Sequence, residues 1–177
     1  MLSKKTRRLI LMAIITICVT VNPLRARSLD FGFGVGTSTV GIGINLNATY
    51  QIKTLSYSFR VIRHEEMQII GTTSPSESAT DVSFLIGLRS RKEGNLSSSL
   101  ELGVGWLNMV TRGDLISRGF FHTSHEKIHV KTFGMAFQTQ LYYKHVGLNI
   151  FANFSNLAKL SQDKPFGGVA LCVRFGG

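Results

Sequence analysis

Cysteine is almost missing from this chain: Cys18 and Cys172 are the two in 177 residues, and only the second lies beyond position 28. A single thiol can neither close an internal disulfide nor build a cysteine-rich metal site. Long apolar runs are scarce too. After position 28 none reaches the length of about 18 residues that a membrane-crossing helix needs, which excludes a helical membrane protein. No basic patch interleaved with aromatic residues occurs, so the usual footprint of a nucleic-acid binder is missing. Phosphate-cradling loops are absent as well. The stretch Gly32-Phe33-Gly34-Val35-Gly36 is rich in glycine, but no helical pattern follows it to aim a dipole at an anion. No cofactor is expected.

Basic charge is concentrated at the start. Lys4, Lys5, Arg7 and Arg8 precede an apolar run of thirteen residues at 9–21, and Ala26-Arg27-Ser28 supplies small residues where a signal peptidase reads them. This predicts an export leader over 1–28, cut after Ser28. Thirteen apolar residues fall short of the roughly 20 that a spanning anchor needs. Ile17 is too bulky before Cys18 for a lipoprotein site. Six of the twenty basic residues and none of the ten acidic ones lie in 1–28, so the net charge of +10 falls to +4 beyond it. The basic character belongs mostly to the leader, and no nucleic-acid partner is expected.

What remains is a two-residue beat. Over 40–52, Val40, Ile42, Ile44, Leu46, Ala48, Tyr50 and Ile52 alternate with glycine, asparagine, threonine and glutamine. Successive strand side chains point to opposite faces, so this is a strand with one apolar and one polar side. The beat recurs over 29–35, 55–61, 82–88, 96–108, 128–143, 146–154 and 167–175, which predicts eight strands. Ile128 and Val130 fall out of phase with Phe133, Met135 and Phe137, and a bulge is expected near Lys131-Thr132.

The connections sort by length. Those near 53–54, 90–95 and 144–145 are short; those at 66–79, 110–126 and 156–165 are long; a tight turn at 36–39 breaks the rule. An even strand count with short turns at one end and long loops at the other is the signature of a transmembrane barrel. The polar faces carry Gly, Ser, Asn, Thr and Ala rather than the Lys and Glu of a solvated sheet, and such side chains suit the inside of a narrow barrel. Asp30, Arg60, Arg89, Glu101 and Arg174 share that inner face, where charges must pair. Tyr50, Tyr57, Trp106 and Tyr143 lie on apolar faces near strand ends, as interfacial aromatics do.

With these features the chain resembles the small eight-stranded bacterial outer-membrane β-barrel superfamily over 29–175. The closing stretch, Gly167-Gly168-Val169-Ala170-Leu171-Cys172-Val173-Arg174-Phe175, carries the most specific likeness. The resemblance implies that Phe175 is the terminal aromatic read by the barrel-assembly machinery, although two glycines follow it. It also implies a test for enzymes of the lipid A deacylase branch, which use a late-strand His-x-Ser-Asn arrangement with a carboxylate beyond. Here Asn153-Phe154-Ser155-Asn156 keeps the Ser-Asn pair, but an amide stands where the base should be and cannot activate a hydroxyl. The only nearby carboxylate after Ser155 is Asp163, in a loop. His122, His125 and His129 cluster with Glu126 at a spacing that follows no established zinc motif, so no metal is expected.

The resulting expectation is a signal peptide over 1–28 and an all-β, eight-stranded antiparallel up-and-down transmembrane barrel over 29–177. Its role is structural or surface-interacting and non-enzymatic, in a bacterial outer membrane, with its lumen filled by side chains. Its partners are outer-membrane lipid, the assembly machinery and lipopolysaccharide, whose phosphates Arg63, Arg112, Arg118, Lys127 and Lys159 would contact. A soluble periplasmic barrel holding an apolar ligand, and a lipid A-modifying enzyme, are the alternatives.

Overall fold

A computed structural model describes residues 28–66, 77–90, 95–118, 123–155 and 166–176. Eight strands follow in chain order: β1 (Ser28–Ser38), β2 (Ile42–Ile52), β3 (Leu55–Glu65), β4 (Ser78–Arg89), β5 (Leu96–Arg118), β6 (Thr123–Tyr143), β7 (Val146–Ser155) and β8 (Phe166–Gly176). Each pairs antiparallel with the next, and β8 returns to β1, so the sheet closes into a barrel. Of the leader expected over 1–28, the described residues include Ser28 alone, as the first residue of β1.

Alternation gives every strand two surfaces. Phe31, Phe84, Leu102, Met135 and Leu171 turn outward and are 50–68% exposed, while Asn45, Ser58, Arg60, Asp81, Glu101, Gln138 and Asn149 turn inward and are buried. This inverts the ordinary globular arrangement. In water, a continuous apolar belt of this kind would drive aggregation. Six of the strands are 10–12 residues long. At about 3.3 Å per residue and a tilt near 45°, they rise ~25 Å, the height of the apolar band of a bacterial membrane barrel.

Two connections at one end are two-residue turns. Lys53 and Lys144 open them with φ of 56° and 55°, left-handed values that cost a non-glycine residue roughly 1 kcal/mol. Arg89 N–H donates to Thr54 O, Lys144 N–H to Asn95 O and Arg174 N–H to His145 O, so these turns and the adjoining strand ends form one rim. We call it the turn end. β4 leaves from this rim and β5 starts at it, so their connection belongs here too, and the four remaining connections lie at the opposite, loop end.

Three local expectations need correction. The segment 110–126 is not an irregular loop: β5 and β6 continue through it as a paired hairpin, leaving 119–122 outside the described residues. No bulge forms at Lys131-Thr132, where Asn108↔Lys131 and Leu107↔Thr132 pair in register; the shifts fall instead between Arg112, Leu115 and Ser117. The reason is that Ile128 and Val130 belong to the inward file, and Val130 stands opposite Met109. Once the hairpin rises past Phe133, the outward file needs no apolar residues, so the apolar residues change sides without any break in pairing. Finally, the first turn centres on Thr39 and Val40 rather than 36–39. Ser38 N–H donates to Gly41 O at 2.7 Å and the Ser38 hydroxyl accepts from Val40 N–H at 3.2 Å. Val40 thus leaves β2 and packs against the buried cluster inside the barrel mouth.

Candidate functional site: a charged lumen and two rims

Eight strands leave an interior only wide enough for side chains to fill. Arg60, on β3, crosses this space. Its Nη2 donates to Asp81 Oδ2 at 2.5 Å and to Ser83 Oγ at 3.2 Å, and its Nη1 to Phe137 O at 2.8 Å. Asp81 Oδ1 accepts from Ser83 Oγ at 2.7 Å and from Asn153 Nδ2 at 3.0 Å. Side chains from β3, β4 and β7 therefore converge on one carboxylate, and both ion-pair partners are 0% exposed. Beside them, Glu101 Oε2 accepts from Gln138 Nε2 at 3.0 Å, while Asn149 Nδ2 donates to Gln138 Oε1 at 3.3 Å.

Toward the turn end, Arg89 forms an ion pair with Asp30. Arg174 lies 4.4 Å from the Tyr142 ring centroid and its Nη2 donates to Lys144 O at 3.2 Å. Toward the loop end the lumen turns apolar, with Ile62, Leu107, Phe151 and Phe166 buried together and Met109 packed against them. His64 is set among these rings, edge-on to Phe151 at 5.6 Å and to Phe166 at 6.2 Å, with Nδ1 3.2 Å from Gly41 O. In the described lumen, a polar middle is capped by an apolar layer of side chains.

All five charges assigned to the lumen are buried, but their pairing differs from any that spacing alone suggests. Asp30 meets Arg89, Glu101 meets Gln138, Arg174 meets a ring and a carbonyl, and Arg60 meets a carboxylate that sequence reasoning left out. Asp81 was legible in principle. It is in phase with Ser83, Leu85 and Arg89, opposite the apolar file of Val82, Phe84, Ile86 and Leu88. It balances the set at three arginines against three acids among these described lumen residues. Gly105 stands against this network: a Cβ there would come within 2.5 Å of Asn153 Nδ2, 2.6 Å of Ser83 Oγ and 2.9 Å of Asp81 Oδ1. Gly105→Ala should cost about 1–3 kcal/mol through overpacking, seen as a lower denaturant midpoint of the lipid- or detergent-held barrel.

The serine arrangement also resolves. Asn153 is buried in the lumen and bound to Asp81, and Ser155 follows on the same inward file, so a nucleophile there faces the interior rather than surrounding lipid. Asn156 and Asp163 lie outside the described residues. Of the histidine group, His125 and His129 share the outward file of β6, Glu126 is on the other face, and His122 lies outside the described residues.

The rims carry the remaining assignments. Tyr50 and Tyr57 face each other across β2 and β3 beside the Lys53 turn, and Tyr143 precedes the Lys144 turn. Trp106 sits nearer the loop end, paired with Val82 and with Phe133, which is 76% exposed. Phe175 is outward, 59% exposed, and opposite Phe31 at the seam of first and last strands. Among the loop-end cations, Arg63 donates to Glu65 at 2.6 Å and Arg112 to Glu66 at 2.5 Å, whereas Lys127 is exposed. The side chain of Arg118 and all of Lys159 lie outside the described residues. The structure adds Lys131 and His129 to this rim, exposed on the same outward file as Lys127 where a bulge was expected.

No family model and no curated protein sequence matches the chain. Solved structures do. The N-terminal β-barrel domain of Pseudomonas aeruginosa OprF superposes with a TM-score of 0.55 at 10% identity, covering 86% of this chain and 98% of that one. Neisserial surface protein A superposes with a TM-score of 0.50 at 14% identity, covering 83% and 93%. The inverted barrel and these likenesses agree: the chain has the fold of the small eight-stranded outer-membrane barrels, and its resemblance to them is one of architecture.

Proposed function

We propose that this protein is a bacterial outer-membrane barrel with a structural or surface-interaction role and no catalytic one. The observation that carries the reading is the inversion of polarity: a belt of exposed apolar side chains surrounds a buried network built on Arg60 and Asp81. Such a surface is stable only against acyl chains, and closure leaves the spanning backbone no unpaired edge. A lumen filled by ion pairs and aromatic rings argues against an open pore. An inward-facing Asn153 bound to Asp81 argues against lipid A hydrolysis. Membrane fractionation with heat-dependent gel mobility of the unboiled protein tests the reading. A folded, monodisperse chain in amphiphile-free buffer would overturn it.

In this orientation the loop end faces outward and meets lipopolysaccharide. Lys127, His129 and Lys131 rise in file directly above the exposed Phe133, where phosphates begin once the apolar belt ends. Arg63 stands at the same rim, already held by Glu65. Of the cations expected from the sequence, Lys127 keeps its assignment here and Lys131 joins it; Arg112 is committed to Glu66. Replacing Lys127, His129 and Lys131 together by glutamine should weaken lipopolysaccharide binding roughly thirtyfold at low salt, at about 1 kcal/mol per lysine near an anionic surface. Unchanged binding would remove the contact. Phe175, outward at the seam, suits recognition by the barrel-assembly machinery, and Phe175→Ala should slow insertion while leaving the folded barrel intact.

A further inference from the structure

The turn end carries a pattern that the lumen and the loop end do not explain. Both of its described two-residue turns open with a lysine, and both lysines hold a left-handed backbone that glycine or asparagine would adopt without strain. The turns are well secured: Gln51 Nε2 donates to Lys53 O at 2.7 Å and Lys144 N–H to Asn95 O at 2.7 Å. Each exposed lysine stands beside outward tyrosine. Tyr50 and Tyr57 flank Lys53, and Lys144 Nζ lies 5.9 Å from the Tyr143 ring centroid. The described acids are distributed differently. Asp30 is buried against Arg89, while the exposed or half-buried Glu65, Glu66, Glu77 and Glu126 are all at the loop end.

We propose that this rim is a binding site for the anionic phosphodiester headgroups of the membrane leaflet it faces. Strain retained at a surface position points to function when the side chain has a task that the easier residue could not perform. Here the task is a positive charge at fixed height. The tyrosine rings settle at the glycerol level, apolar body inward and hydroxyl toward water, and the lysine ammonium reaches the phosphate just above. Compact turns hold that height, because two residues leave the ammonium only its own side chain as a tether. The inference rests on the membrane reading and adds a ligand class and a location to it.

The test uses the full barrel reconstituted in vesicles of phosphatidylcholine alone or mixed with phosphatidylglycerol, followed by counting of retained phosphatidylglycerol by native mass spectrometry. Lys53→Asn with Lys144→Asn keeps left-handed turns and removes both charges. It should lower phosphatidylglycerol affinity roughly thirtyfold, and each single variant about fivefold. Lys53→Arg with Lys144→Arg should restore binding, and millimolar inorganic phosphate should not compete, since it lacks the glycerol and acyl parts that meet the tyrosines. Undiminished retention by the asparagine double variant would overturn the site. Competition by free phosphate would show an anion site without lipid recognition and would overturn it as well. A wild-type chain that inserts into neither vesicle would instead strike the membrane reading, and this inference with it.

Discussion

Replacing Asp81 with alanine should lower the stability of the folded barrel by about 3–5 kcal/mol, the usual result of stranding one member of a buried ion pair. Asp81 takes hydrogen bonds from Arg60, Ser83 and Asn153, and neither it nor Arg60 has any exposed side-chain surface. Alanine would leave the Arg60 guanidinium charged in a space sealed on one side by Phe151, 5.7 Å from it. Denaturant titration of the lipid-reconstituted variant, followed by gel mobility and tryptophan emission from Trp106, measures the loss. The companion variant, Arg60→Met with Asp81→Leu, should recover most of it, because apolar groups of similar volume avoid the desolvation that the pair must overcome. A cost below about 1 kcal/mol for Asp81→Ala would mean that water reaches the pair and that the lumen is wetter than its packing indicates.

Leu102→Arg should be the most damaging change on the outer surface. Leu102 is 54% exposed and lies in the apolar belt between Ile86 and Phe137. In a soluble protein, an exposed leucine changed to arginine would be close to neutral. At the middle of a bilayer an arginine on the lipid face of a barrel costs about 2–4 kcal/mol. Urea midpoints in vesicles should therefore fall steeply for Leu102→Arg and hardly at all for Arg substituted at exposed Thr54 in a rim turn. Equal, small effects at both positions would contradict a lipid-facing belt. This experiment reads the orientation of the sheet directly, whereas the Asp81 experiment reads what the sheet encloses.

Much of this architecture could be read before any coordinates. In the stretches that hold Phe31, Leu46, Phe59, Phe84, Leu102 and Leu171, apolar residues recur at every second position, and that period leaves few structures other than a strand. The scarcity of lysine and glutamate on the opposite face already favoured an enclosed interior. Asp81 escaped because it sits at the start of its strand, next to a segment whose composition reads as loop. The β5–β6 hairpin escaped for a different reason. Above Phe133 the outward file changes from apolar to basic, and a reading keyed to alternating apolar residues mistakes that change for the end of the strand or for a bulge. That reading also separated Lys131 and His129 from the outward file they share with Lys127.

Which face of each strand a side chain occupies is a local property, set by the pleat and carried by the residues themselves. The chain alone therefore determined the strand count, the inside and outside of the barrel and the identity of five of the six charges buried in the described lumen. Which of those charges touch depends on their depth in the barrel, and depth is the sum of register offsets accumulated around the closed sheet. No local pattern encodes that sum. Only the tertiary structure could bring Arg60 level with Asp81 and Asp30 level with Arg89. Only the closed sheet could gather two strained lysines and three tyrosines, far apart in the chain, onto one rim.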